Sequence, residues 1–208
     1  MSSRTWVFGY GSLINPASRR QTDPLVGPAR PVVVDGVERG WWVHGVHPGF
    51  NATFLGARRR PGRACNGVIF EVDEGGAKEY NGRESQYRLE TLEPSSIRSL
   101  DGGTIDTTDQ YSFYELETLQ RPTSQFPVVQ SYVDLILSAC LDLEQAYPQA
   151  AAPSFVDDFI TRTVAWSAHW VNDRRYPRRP VAEQPAAMAI DARLRQFKPR
   201  QFAAIRIE

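Results

Sequence analysis

Cysteine and histidine are scarce in this chain, and that scarcity excludes more chemistry than any single motif supplies. The two cysteines, Cys65 and Cys140, lie far apart and have no metal-ligand spacing, so they read as reduced, structural thiols of a cytosolic protein. The three histidines, His44, His47 and His169, make no metal pattern with cysteine or carboxylate; His44 and His47 are three apart, but in a Gly/Pro loop rather than on a helix. An excess of either charge is also missing. Lys plus Arg and Asp plus Glu both total 24, so nothing points to a nucleic-acid or membrane partner. The basic residues are almost all arginine, which favours ion pairs over diffuse attraction. No apolar run approaches the roughly 20 residues of a membrane helix, and residues 1–5 hold no apolar signal-peptide core; the expected location is cytoplasmic. There is no P-loop, no G-x-G-x-x-G opening a helix, no internal repeat and no low-complexity segment. What remains is 41% hydrophobic and 23% charged over 208 residues, ordinary for a globular chain able to bury a sizeable core.

The chain reads as organised around Trp6-Val7-Phe8-Gly9-Tyr10-Gly11-Ser12-Leu13-Ile14-Asn15-Pro16. Its apolar start is too short for a stable helix and ends at glycines, so it reads as a buried strand that stops abruptly. Gly9 and Gly11 permit positive φ and close backbone approach, which leaves two readings. Either amides near Ser12 and Leu13 point into a cavity and hold a carboxylate or oxyanion, or the stretch is a tight turn after a strand.

Beyond it, Asn15 is placed to cap a short helix with Pro16 at its first position. Residues 32–43 are strand material, with a turn or bulge at Asp35-Gly36, and residues 44–50 a Gly/Pro loop. Residues 51–57 and 64–72 read as two strands joined as a hairpin across Pro61-Gly62. Arg58, Arg59, Arg60 and Arg63 at that tip suit either an anion site or a solvated face. A helix or turn opens at Asp73, residues 87–92 alternate like a strand with one buried face, and residues 94–109 read as a mobile loop or a tip. After a strand over 111–116, helices dominate: 128–147, 154–172 with Ser154 and Asp157 in a capping arrangement, and 182–197 with Pro185 near its start. Between the last two lies a basic, proline-interrupted connector over 174–180. Strands first and helices later predict an α+β fold with an antiparallel sheet or barrel.

Glu84 is the carboxylate whose context is suggestive. In Asn81-Gly82-Arg83-Glu84-Ser85-Gln86-Tyr87 it lies between a helical turn and an apolar strand. An acid there is either partly buried, with a raised pKa suited to proton transfer, or paired with Arg83 or Arg88 on the surface.

Two stretches together carry a resemblance. Phe8-Gly9-Tyr10-Gly11-Ser12-Leu13 resembles the Tyr-Gly-Ser-Leu signature of the gamma-glutamylcyclotransferase-like superfamily, and Arg83-Glu84-Ser85-Gln86-Tyr87 is similar to its Arg-Glu-x-x-Tyr segment. Val37-Glu38-Arg39-Gly40-Trp41-Trp42 and Gly67-Val68-Ile69-Phe70-Glu71-Val72 look like its second strand and its Gly-Val-hydrophobic strand. The form of the motif looks most like the ChaC and AIG2-like branches, and the likeness covers about residues 5–140. Relatives often have Leu-Asp ahead of the Arg-Glu pair, whereas this chain has Tyr80-Asn81-Gly82.

The resemblance implies a small mixed or antiparallel β-barrel with flanking helices over residues 1–150, followed by a helical C-terminal extension over 151–208 packed on the same domain. It also implies a cofactor-free reaction that cyclises a γ-glutamyl moiety to 5-oxoproline and releases an amine or amino acid. Glu84 matches the catalytic acid/base, and Tyr10, Gly11, Ser12 and Leu13 match the substrate-binding loop. Tyr132 resembles a helix tyrosine that faces the cavity, although a helical aromatic equally suits plain core. The implied partner is a small γ-glutamyl compound, with no metal. Two other readings stay open: a non-catalytic or regulatory small-ligand binder, and an enzyme that removes a γ-glutamyl tag from a metabolite.

Overall fold

A computed structural model describes residues 3–151, 153–179 and 186–207. The opening apolar run forms strand β1 (Thr5–Gly9), and its period-two alternation divides the core. Val7 faces one apolar cluster together with Val68, Phe70 and Ile136, while Trp6 and Phe8 face a second with Val32, Val34 and Phe113. After a short 3-10 turn at Ser12–Ile14, helix α1 (Pro16–Thr22) starts at Asn15, whose side chain accepts from the Ser18 N–H.

The centre of the molecule is a long antiparallel pair, β2 (Ala29–His47) and β3 (Phe50–Val72). It is matched from Ala29 opposite Phe70 to His47 opposite Phe50. Two expectations are corrected here. Residues 44–47 are strand, not loop, and the reversal falls at Pro48-Gly49, where Gly49 takes φ +87. Nor do residues 51–57 and 64–72 form a hairpin with each other. Both belong to β3 and both pair with β2, so residues 60–63 become a bulge opposite Gly36, between the Asp35–Ala64 and Val37–Arg59 pairs. The strand on each side already has a partner of matching length, and Pro61-Gly62 therefore deforms the ladder instead of reversing it. At that bulge Arg58 and Arg63 pair with the buried Glu38, and Arg59 with Glu90.

Helix α2 (Glu74–Arg83), capped by Asp73, follows β3. Then come β4 (Arg88–Leu92), β5 (Ile97–Ser99) and β6 (Gln110–Glu115). β4 pairs with β6 but buries only Leu92. β5 corrects the reading of 94–109 as a mobile loop or a tip throughout: it pairs with β2 at Val32–Val34, with Ile97 buried. Three residues suffice for a rung yet are too few to show a period.

Val128–Val129 is a strand, β7, ahead of helix α3 (Gln130–Ala146). The helix predicted over 154–172 stops early. Helix α4 (Phe155–Arg162) is capped by Ser154, and then Val164 exchanges backbone hydrogen bonds with Arg39 and Trp41 of β2. That pairing draws the chain out of the helix, and β8 (Trp170–Asn172) follows. Helix α5 (Ala187–Phe197) accounts for the last part of the predicted 182–197 helix, and residues 182–185 lie outside the described residues. Helix α6 (Pro199–Ala203) and strand β9 (Arg206–Ile207) complete the described chain. Strands thus recur at the end, contrary to the strands-then-helices order.

Among the described residues, the nine strands make one mixed sheet in the order β4-β6-β1-β3-β7-β8-β9, with β2 against β3 and β5 against β2. Strand pairing follows this open path. Beyond β6, however, the Leu116 N–H donates to the Ala57 carbonyl and the Gln120 N–H to the Trp42 carbonyl, bringing that edge back to the middle of β2 and β3. Helices α3 and α4 pack Val133, Ile136, Phe155 and Phe159 into the larger core cluster. Arg174 ties the C-terminal segment down through Asp134 of α3 (2.7 Å) and Asp191 of α5 (2.8 Å). Cys65 and Cys140 are buried free thiols. No helix among the described residues is long and apolar enough to cross a membrane.

Candidate active site

A cavity of about 350 Å³ opens where β1 ends, bounded by α2, α3 and the tip of the β2–β3 pair. Tyr10, Gly11, Ser12, Leu13, Glu84 and Tyr132 all line it. Their placement follows from local structure. β1 ends at Gly9, where only glycine fits beside Leu13: an added Cβ would lie 2.8 Å from Leu13 Cβ. That close approach lets the 3-10 turn fold back over the strand end, with the Ile14 N–H donating to the Gly11 carbonyl at 3.0 Å. Neither Gly9 nor Gly11 has positive φ, so that freedom is not used; Gly9 serves close approach. The first N–H groups of such a turn find no partner within it, and Ser12 and Leu13, which carry them, line the cavity.

Arg83 joins this loop to Glu84. The last residue of α2, it spends all its donors locally. Nη1 donates to the Ser18 carbonyl and Thr22 Oγ1, Nη2 to Ser12 Oγ (3.1 Å) and Ser18 Oγ, and Nε lies 3.1 Å from Glu84 Oε1. Glu84 caps α2, its N–H bonded to the Tyr80 carbonyl, and its side chain is only 15% exposed. Of the two sequence readings, both features coexist: Glu84 is largely buried and is paired with Arg83, while Arg88 pairs with Glu90 and Glu115. Burial pushes the Glu84 carboxyl above the ordinary range, and Arg83 beside it works in the opposite direction.

Phenols surround this carboxylate. Tyr10, Tyr87, Tyr114 and Tyr132 are each raised, first by burial and in part by the Glu84 charge, so they stay neutral donors. The Tyr10 hydroxyl donates to the Tyr114 carbonyl at 2.6 Å. The Tyr132 hydroxyl hydrogen-bonds with the Ser12 side chain and the Leu55 backbone, and its ring meets Phe54 and Trp41 edge-on. Tyr132 is therefore both core and cavity wall.

Three arginines escaped the sequence reading as site residues. Arg83 had its place in the Arg-Glu-x-x-Tyr stretch as a signal. Arg39 of β2 is fully buried, and its guanidinium donates to the Tyr10 and Asn66 carbonyls, Asn66 Oδ1, Thr163 Oγ1 and the Phe159 carbonyl while lying 3.5 Å over the Phe159 ring. It fixes the backbone at the loop's first residue. Arg179, from the proline-interrupted connector, lines the cavity over the Phe54 ring at 5.6 Å. His44 and His47 also line it, stacked on Phe126 and Phe50. Among the described residues no group of three His, Cys, Asp or Glu side chains could hold a metal ion.

No protein-family model and no curated protein matches the sequence. Solved structures do. A gamma-glutamyl cyclotransferase is similar at 12% identity over 72% of this chain and 88% of that one, with a TM-score of 0.55. An uncharacterized protein from Homo sapiens gives 12% identity, the same coverage and 0.53. YkqA from Bacillus subtilis gives 14% identity over 74% of this chain and 55% of that one, with 0.51. The likeness is one of architecture: this chain, a mixed α+β molecule built on one sheet, has the fold of a gamma-glutamyl cyclotransferase.

Proposed function

We propose that this protein is a gamma-glutamylcyclotransferase-type enzyme that converts the γ-glutamyl moiety of a small substrate to 5-oxoproline and releases an amine or amino acid. The observation that carries the reading is the meeting, in one cavity of this fold, of a buried carboxylate of raised pKa with the Gly11–Leu13 loop, both held by one guanidinium. In this reading residues 1–150 form the cyclotransferase domain and 151–208 an extension of it.

The ionised Glu84 takes a proton from the substrate's α-ammonium. The freed amine attacks the γ-carbonyl carbon, forming the ring C–N bond and a tetrahedral oxyanion. Collapse breaks the bond to the leaving nitrogen, which receives the proton back from Glu84. The ring nitrogen gives up its second proton by way of the same carboxylate to the departing amine, so that the products are a neutral lactam and an ammonium. A carboxylate of ordinary pKa is a poor base for an ammonium; burial of Glu84 narrows that gap. A positioned acid/base of this kind contributes roughly 10²–10⁴ in rate. Backbone N–H groups of Ser12 and Leu13 suit the oxyanion, at about 3–4 kcal/mol for a well-placed donor. Since both reacting groups belong to one molecule, holding a near-attack conformer supplies much of the rest.

The test is incubation with a panel of γ-glutamyl amino acids, peptides and amines, assayed for 5-oxoproline. Release from at least one is expected. Release from none would move the cavity to a ligand-binding role without turnover.

A further inference from the structure

Arg83 leaves no donor for a substrate, since its five N–H groups go to Ser18, Thr22, Ser12 and Glu84. The cavity's second cation is different. Among the described residues the Arg179 guanidinium has no acidic partner and lies against an aromatic face, 5.6 Å from the Phe54 centroid. It is held from its backbone: the Arg179 N–H donates to Ser131 Oγ at 3.0 Å, and Ser131 donates in turn to the buried Asp173. The Arg178 N–H also donates to Asp173. A buried carboxylate therefore pins the connector to the first turn of α3, one residue before Tyr132. The cation acting on Glu84 is Arg83, and the one acting on Tyr132, which the Glu84 charge also reaches, is Arg179.

We infer that Arg179 is a specificity residue that binds a carboxylate on the leaving group. The inference rests on the cyclotransferase reading. There the γ-glutamyl part lies on the Gly11–Leu13 loop beside Glu84, because Glu84 must reach both the attacking and the departing nitrogen. Whatever follows the departing nitrogen then points away from that loop, toward Phe54 and Arg179. A guanidinium with no acidic partner among the described residues, backed by an apolar ring and fixed by a tethered main chain, suits a planar carboxylate. The preferred substrates are γ-glutamyl amino acids or peptides whose released part carries a free carboxylate close to the scissile bond, and neutral amides or simple γ-glutamyl amines are disfavoured.

The test compares γ-glutamyl-alanine with γ-glutamyl-alaninamide, which differ only in that carboxylate, on the full-length protein and its Arg179→Gln and Arg179→Lys variants. Both 5-oxoproline release and equilibrium binding to Glu84→Gln backgrounds are measured, with a thermal melt as the folding control. For a charge-assisted contact of this type the wild-type protein should favour the acid by about 10- to 100-fold in kcat/KM. Arg179→Gln should lose most of that preference by slowing the acid while leaving the amide within about threefold, and Arg179→Lys should regain part of it. Equal slowing of both substrates would assign Arg179 to the shared γ-glutamyl part, and an unchanged preference would leave it without a role; either result overturns the inference. Turnover without a preference sinks the inference and spares the cyclotransferase reading. Preferential binding of the acid, lost in Arg179→Gln, with no turnover of either compound sinks that reading and spares the carboxylate site. Absence of both binding and turnover overturns both.

Discussion

Arg83 Nε lies 3.1 Å from Glu84 Oε1 while Nη2 of the same guanidinium lies 3.1 Å from Ser12 Oγ. Two segments some seventy positions apart are thereby held in one geometry by a side chain that retains no donor for substrate. Arg83→Met should release both. Since Arg83 opposes the burial that raises Glu84, its loss moves the Glu84 pKa further up, and the acidic limb of the kcat/KM profile should shift to higher pH. A rate loss of about 10- to 100-fold at neutral pH is expected from misplacement of the two segments. A pH profile with an unmoved acidic limb would contradict this role.

Tyr132→Phe removes the hydroxyl that bonds Ser12 and Leu55 but keeps the ring that packs on Phe54 and Trp41. Stability should fall by about 1 kcal/mol, the worth of one hydrogen bond. Urea unfolding checks that figure, and activity should fall more than stability does because Ser12 loses an anchor within the loop.

Arg39 acts on the same loop from below. Its burial and its five hydrogen bonds, one of them to the Tyr10 carbonyl, make Arg39→Met a loss of about 3 kcal/mol, because it strands buried neutral acceptors. Denaturant titration is the measurement, and a loss below about 1 kcal/mol would show that the network is dispensable.

Glu84 also makes a prediction about stability. Its folded pKa stands above the ordinary glutamate value of 4.5 because burial disfavours the charged form. The folded chain therefore holds that proton more tightly than the unfolded chain does. The associated stability is fully present below the unfolded pKa and is lost as pH rises through the folded one. Glu84→Gln, which stays neutral, should be more stable than the wild type at neutral pH, with the difference vanishing below pH about 4. Thermal melts across that range test the sign.

Legibility in the sequence tracked the length of the interactions involved. The strand ending at Gly9, the Asn15 cap and the long helix from Gln130 are local features, and their residues announce them. Glu84 and the Gly11–Leu13 loop became legible only as a pair, through a resemblance to known proteins. Strands β5, β7, β8 and β9 have two or three residues each, too few to show a period, and their partners lie far along the chain. Pro61-Gly62 reads locally as a turn and becomes a bulge only because β2 is long enough to pair on both sides of it. Arg179 sits in a stretch that reads only as a basic, proline-interrupted connector; its place in the cavity depends on Asp173 and Ser131, which no local pattern links to it.

The central claim is that Glu84 shuttles the proton of a γ-glutamyl cyclisation. Its most direct test is 5-oxoproline release from γ-glutamyl substrates by the wild type and by Glu84→Gln, side by side, with circular dichroism to verify that both are folded. Release by the wild type and a loss of at least about 10²-fold in the folded variant is the predicted result; undiminished release by Glu84→Gln would contradict it.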